Sequence, residues 1–77
     1  MTLLQAKTNA IYQIKKIHTQ DTKLLHRFLS FGIIEGAILT PLHHSSRGAT
    51  LAIQIQNSQI ALRESEAEKI EVELCQQ

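Results

Sequence analysis

Four histidines and one cysteine are the side chains of this sequence that could bind a transition metal. His43 and His44 are adjacent, and consecutive side chains of a strand point to opposite faces, so the pair should not chelate one ion. His18, His26 and Cys75 lie in other segments, and no HxxxH or CxxC spacing occurs. We therefore predict no dedicated metal site, with His43 and His44 as the candidates if there is one.

The serines and glutamates predict no catalytic chemistry. Ser45 and Ser46 follow the two adjacent histidines, but no glycine-flanked nucleophile elbow surrounds them. The five glutamates within residues 64–77 alternate with other residues, which is typical of a solvated face rather than of a site for a hard cation. No glycine-rich motif could hold a phosphate. The sequence thus predicts a protein that is not an enzyme and has no resident cofactor, although Fe(II) binding stays open.

Length and charge favour a small binding module. The 77 residues, 43% apolar and 19% charged, suffice for one domain spanning residues 1–77. The net charge of +1 combines seven basic against two acidic residues over 1–63 with one basic against five acidic residues over 64–77. The basic residues are scattered and only three residues are aromatic, so we expect no nucleic-acid partner. A lone cysteine and the absence of a long apolar stretch predict a cytoplasmic protein without direct membrane insertion.

Periodicity predicts a mainly β fold with one or two short helices. A strand over 11–17, with a bulge near Lys15, precedes a helix that Asp21 or Thr22 caps and Gly32 ends. Strands over 38–44, 51–56, 59–63 and 70–74 follow, with a helical turn over 64–69. Pro41 suggests an edge position or an irregularity in its strand, since proline cannot donate to a ladder. Five short strands with local connections favour a small SH3-like β-barrel.

The predicted helix and the residues after it are more apolar than one buried helix face requires. The apolar residues concerned are Leu24, Leu25, Phe28, Leu29, Phe31, Ile33 and Ile34. A partly exposed groove beside the helix, suited to a partner protein, is as plausible as a plain core. For the partner surface we predict Leu24, His26, Arg27 and Arg63.

Three segments of the sequence resemble one known family. The stretch Ile60-Ala61-Leu62-Arg63-Glu64-Ser65-Glu66-Ala67-Glu68-Lys69-Ile70-Glu71-Val72 resembles the IALR-x-SEA-x-x-I-x-V ending of FeoA-type ferrous iron transport proteins. Arg27 to Ile33 with Glu35-Gly36, and the opening Leu3 to Lys7, also resemble that family. Two turns depart from its pattern, with Thr8-Asn9 in place of Pro-Gly and Ser45-Ser46-Arg47-Gly48 in place of Ala-Pro-x-Gly.

The resemblance implies a small cytosolic SH3-like protein that assists ferrous iron uptake. Its partner would be a FeoB-type membrane ferrous iron transporter with a cytosolic GTP-binding domain, which would bring the protein to the periphery of the inner membrane. Two alternatives stay open. One is a direct Fe(II) carrier or sensor that uses His43, His44 or the glutamate face. The other is a metal-responsive regulatory domain, since the module also resembles the C-terminal part of iron-dependent repressors.

Overall fold

The computed structural model describes residues 1–45 and 47–75. A 3-10 helix, Leu3–Gln5, precedes five strands and two α-helices. In chain order these are β1 (Tyr12–Ile17), α1 (Thr22–Ser30), β2 (Ile38–His44), β3 (Thr50–Ile55), β4 (Ser58–Arg63), α2 (Glu64–Ala67) and β5 (Ile70–Leu74). Neither α-helix is long and apolar enough to span a membrane.

All five strands belong to one antiparallel sheet with the order β4-β3-β2-β1-β5. The five predicted strands are confirmed. The expected barrel is not closed, because no ladder joins β4 to β5 within the residues that the structure describes. The chain passes from one edge strand to the other through α2, a single helical turn closed by the bond from Glu68 N to Glu64 O.

The positions of the core residues follow from strand alternation. In β3, Leu51, Ile53 and Ile55 are buried while the residues between them are half exposed. Burying one face of alternating apolar side chains fixes the register, because a slip of one residue would turn the whole set to water. The remaining buried apolar residues are Leu3, Ala6, Tyr12, Ile14, Phe28, Ile33, Leu39, Leu62, Ala67, Ile70 and Val72.

Two irregularities in the central strands show how local chemistry decides the pairing. The register of β1 against β5 shifts between Ile14 and Lys16, where the sequence predicted a bulge. Pro41 lies in β2, the middle strand of the sheet, so it does not mark an edge. It marks the irregularity that was the other alternative, because the register of β2 against β3 shifts between Pro41 and His43. The missing N–H of Pro41 is tolerated because its pair with Ile53 lies between the hydrogen-bonded pairs of β2 and β3. Its carbonyl accepts a bond of 2.7 Å from Asn9 N.

The two ends of α1 are fixed by the residues that the sequence suggested. Asp21 is the N-cap, and its Oδ1 accepts from the backbone N–H groups of Lys23 at 3.0 Å and Leu24 at 3.3 Å. At the other end Gly32 has φ +80°, and Ile33 N donates to Phe28 O at 2.9 Å. This is a Schellman motif, which requires a left-handed residue at the position of Gly32.

Candidate functional site

The exposed apolar residues of α1 and the turn after it mark the candidate site. Phe28 and Ile33 are fully buried, but the side chains of Leu29 and Ile34 remain 61% and 46% exposed. Consecutive helix residues point about 100° apart, and the rotation of α1 that buries Phe28 leaves Leu29 facing the solvent. The partly exposed surface that the excess of apolar residues predicted is therefore present.

Leu29 separates two shallow grooves. The first, which we call the Ile34 groove, is lined by Ile17, Thr19, Leu25, His26, Leu29, Ile33, Ile34 and Glu35. It combines an aliphatic floor with one imidazole and one carboxylate at its rim. This arrangement suits apolar side chains of a protein partner more than a small polar ligand.

The second groove, which we call the β4 groove, lies between the end of α1 and strand β4. It is lined by Leu29, Ser30, Phe31, Gly32, Gln56, Ser58, Gln59 and Ile60. None of these eight side chains carries a charge. At one end the Gln56 side chain lies against Gly32, where a Cβ would be 2.8 Å from Gln56 Nε2.

A buried carboxylate joins α1 to the corner between β4 and α2. Glu66 accepts a bond of 2.8 Å from the backbone N–H of Arg63 through Oε1, and its Oε2 forms an ion pair with Arg27 Nη1. The Glu66 side chain is only 10% exposed, whereas that of Arg27 is 42% exposed. The Arg27 guanidinium also lies over the Phe31 ring, 5.6 Å from its centroid.

The four residues predicted for the partner surface occupy different environments. His26 and Arg63 are exposed, while Leu24 is half-buried and packs against the core. Arg27 is engaged with Glu66, which also accepts the Arg63 N–H, so the structure brings Arg27 and Arg63 together at one corner. His26 lies instead at the Ile34 groove. Arg27 therefore has a structural contact in addition to any role in binding.

The histidines do not converge. His43 and His44 are both exposed on β2, where they lie opposite Ala52 and Leu51 of β3. Over residues 1–45 and 47–75, no three His, Cys, Asp or Glu side chains come together as metal ligands would. His18 pairs elsewhere, with its Nε2 2.9 Å from Oε1 of Glu71. That hydrogen bond, together with the nearby charge of His18, lowers the pKa of Glu71 below its ordinary value of 4.5.

Comparison with known proteins places the chain in a family. The family model for the FeoA domain matches residues 1–74. The chain belongs to the FeoA domain family. A protein of Helicobacter pylori named Fe(2+) transport protein A is 46% identical over 68 residues, which cover 88% of this chain and 90% of the relative. Another of that name, from Campylobacter jejuni, is 40% identical over 52 residues, covering 68% of this chain and 70% of the relative.

Solved structures agree on the fold. Iron(II) transport protein A from Clostridium thermocellum superposes with a TM-score of 0.89 at 26% identity, over 96% of this chain and 45% of that one. FeoA of Stenotrophomonas maltophilia complexed with zinc, described as a procaryotic SH3 domain protein, gives 0.79 at 21% identity over 95% of this chain and 89% of that one. The SH3-like fold predicted from the sequence is confirmed. A manganese-dependent transcriptional repressor gives 0.88 at 20% identity, over 97% of this chain and 36% of that one.

Sequence reasoning missed two residues of this region, for different reasons. Leu29 belongs to the predicted apolar excess but not to the four residues predicted for the partner surface, and its position one residue after Phe28 is the signal that it points away from the core. Glu66 was assigned to a solvated glutamate face. Its spacing of three residues after the N-cap position of α2 was the available signal, since a glutamate there reaches back to the N-cap backbone N–H.

Proposed function

We propose that the protein is a noncatalytic accessory factor in ferrous iron transport that acts by binding another protein. Family membership and the relatives named Fe(2+) transport protein A support the transport role. The observation that best supports action through protein binding is the exposed Leu29, which lines both grooves. Exposed apolar surface of this kind loses water when a protein partner covers it.

The partner that we propose is the cytosolic GTP-binding part of a FeoB-type membrane Fe(II) transporter. The protein would then work in the cytoplasm, peripheral to the inner membrane. The contact surface would comprise the helix side with Leu24 and His26 and the corner with Arg27 and Arg63. Its exposed basic groups favour an acidic rim on the partner, which would act mainly on the association rate.

Binding of the full chain to the detergent-solubilised transporter tests this proposal. His26→Glu introduces a negative charge, and Arg63→Glu reverses a positive one. Both side chains are exposed and form no ion pair among the described residues, so the fold should survive. Lys15→Glu, on the exposed face of β1, is the matched charge control. We expect the first two variants to lower the association rate several-fold and the control to have little effect. Equal rates for all three, or no binding of the unchanged chain, would contradict the proposal.

Direct Fe(II) binding is the alternative function, and titration with Fe(II) distinguishes it from docking on the transporter. Anaerobic titration of the full chain with Fe(II) compares the unchanged protein with a His43→Ala/His44→Ala variant. Stoichiometric binding that the double variant loses would favour a carrier or sensor. Docking without such binding would favour the accessory role.

A further inference from the structure

The two edges of the sheet differ in whether their outward backbone groups have partners. On β5, Val72 N donates to Met1 O at 2.9 Å, and Thr2 forms an isolated antiparallel bridge with Glu71. The N-terminal segment thus covers part of that edge. Uncovered edges are templates for pairing with another chain, so the state of the opposite edge matters.

On β4 the outward backbone groups are those of Gln59 and Ala61. The bond of 3.1 Å from Glu64 N to Ala49 O shows that Glu64 faces β3, and the β3–β4 register runs without a bulge. Because residues of an antiparallel strand face its neighbour alternately, Gln59 and Ala61 direct their N–H and C=O groups away from β3. Neither forms another backbone bond within the residues described.

The β4 groove runs beside this edge. Gln59, with its outward backbone groups, is one wall, and Leu29 and Phe31 of the α1 end are the other. The groove is thus bounded by strand β4 on one side and by the end of α1 on the other. A second copy pairing through its own β4 would bring its β3 and α1 with it, so a lone segment fits better.

We propose that the β4 groove receives an extended peptide segment of a partner protein as an added antiparallel or parallel strand. Its backbone would bond to Gln59 and Ala61, and alternate apolar side chains would cover Leu29 and Ile60. The segment is uncharged over this length, because the groove offers no charged side chain to offset the desolvation of one. The proposal rests on the docking function above, since it names the kind of segment that the partner offers.

Selection of random peptides displayed on phage against the full chain tests the groove without the transporter. We expect selected peptides to be uncharged, with apolar residues at alternate positions, and to slow amide exchange at Gln59 and Ala61. Ala61→Pro removes an outward N–H that no strand of the described residues uses, and Ala61→Ser is its matched control with the N–H intact. The proline variant should bind these peptides about tenfold more weakly than the control.

A second proline variant keeps the test decisive if Ala61→Pro does not fold. Gln59→Pro removes the other outward N–H and should have the same effect. Peptides that bind without protecting Gln59 and Ala61, or that bind a folded proline variant as well as the control, would overturn the proposal. The transporter assay separates the two ideas. If a folded proline variant binds the transporter as well as the unchanged chain does, strand addition is refuted and the docking function is not. If the unchanged chain does not bind the transporter, the docking function is refuted, and the peptide experiment then decides whether the β4 groove binds an added strand.

Discussion

Arg27 of α1 and Glu66 of α2 form an ion pair across 39 residues of sequence, and Glu66 also accepts the backbone N–H of Arg63. The Glu66 carboxylate therefore links the end of β4, the start of α2 and helix α1. Both grooves contain residues of α1 or of the turn after it. The shape of the proposed binding surface thus depends on this contact.

Loss of the Arg27 guanidinium should destabilise the fold moderately. Arg27→Ala leaves one oxygen of the nearly buried Glu66 carboxylate without its partner, which costs about 1–2 kcal/mol once partial exposure of the arginine is considered. Urea unfolding measures the change. Lys23→Ala, on the exposed side of the same helix, is the control and should change stability little. Equal stability of Arg27→Ala and the control would show that the ion pair does not hold the helix.

Truncation of Phe28 should destabilise the fold far more than truncation of Leu29, although the two residues are neighbours. Phe28 is fully buried, so Phe28→Ala should cost about 3–5 kcal/mol through the cavity it leaves. Leu29 is 61% exposed, so Leu29→Ala should change the free energy of unfolding by less than about 1 kcal/mol. Thermal or urea unfolding of the two variants measures this difference. A large loss for Leu29→Ala would mean that α1 packs with another face inward.

Replacing Gly32 should destabilise the fold, mainly through backbone strain. Its φ of +80° strains any L-residue, whereas the atom that a Cβ would meet at 2.8 Å, Gln56 Nε2, ends an exposed side chain that can move away. Gly36 has φ +91° with open space around it, so Gly36→Ala measures the backbone strain alone. We expect Gly36→Ala to cost about 1 kcal/mol and Gly32→Val to cost more, since strain in this region is worth about 1–3 kcal/mol per residue. Thermal unfolding that ranks the two in the reverse order would place the helix end elsewhere.

The His18–Glu71 contact predicts a change in acid titration. Because the pKa of Glu71 is lowered in the folded chain, its contribution to stability is present above its ordinary value of 4.5 and disappears as the pH falls through the lowered pKa. His18→Ala removes the hydrogen bond and should return the pKa of Glu71 towards 4.5. NMR titration of the Glu71 carboxyl carbon follows this directly. Glu73, exposed two residues later, is the internal control, and an unchanged Glu71 titration would contradict the contact.

The sequence alone predicted the elements better than it predicted their assembly. Asp21, Gly32 and the alternation in β3 act through neighbouring residues, and each behaves as expected. Pro41 indicated an edge or an irregularity, and the choice between the two depends on which side of β2 its nitrogen faces, a property of the assembled sheet. The open edge between β4 and β5 likewise depends on where α2 leads the chain.

The sequence predicted the candidate site only as an excess of apolar residues around α1. Counting apolar residues around α1 indicated that some must stay exposed, but which ones depends on the helix rotation that burial of Phe28 sets. The role of Glu66 required knowledge of a contact with a residue far away in sequence. Periodicity does not carry long-range pairing of that kind.

The affinity of the full chain for the detergent-solubilised Fe(II) transporter tests the docking role most directly, with Leu29→Asp compared to Leu74→Asp. Both leucines are more than half exposed, but Leu29 lies between the two grooves and Leu74 at the end of β5. We expect Leu29→Asp to weaken binding about tenfold or more, because a charge would lose water against an apolar partner surface, and Leu74→Asp to bind like the unchanged chain. Equal binding by both folded variants would contradict it.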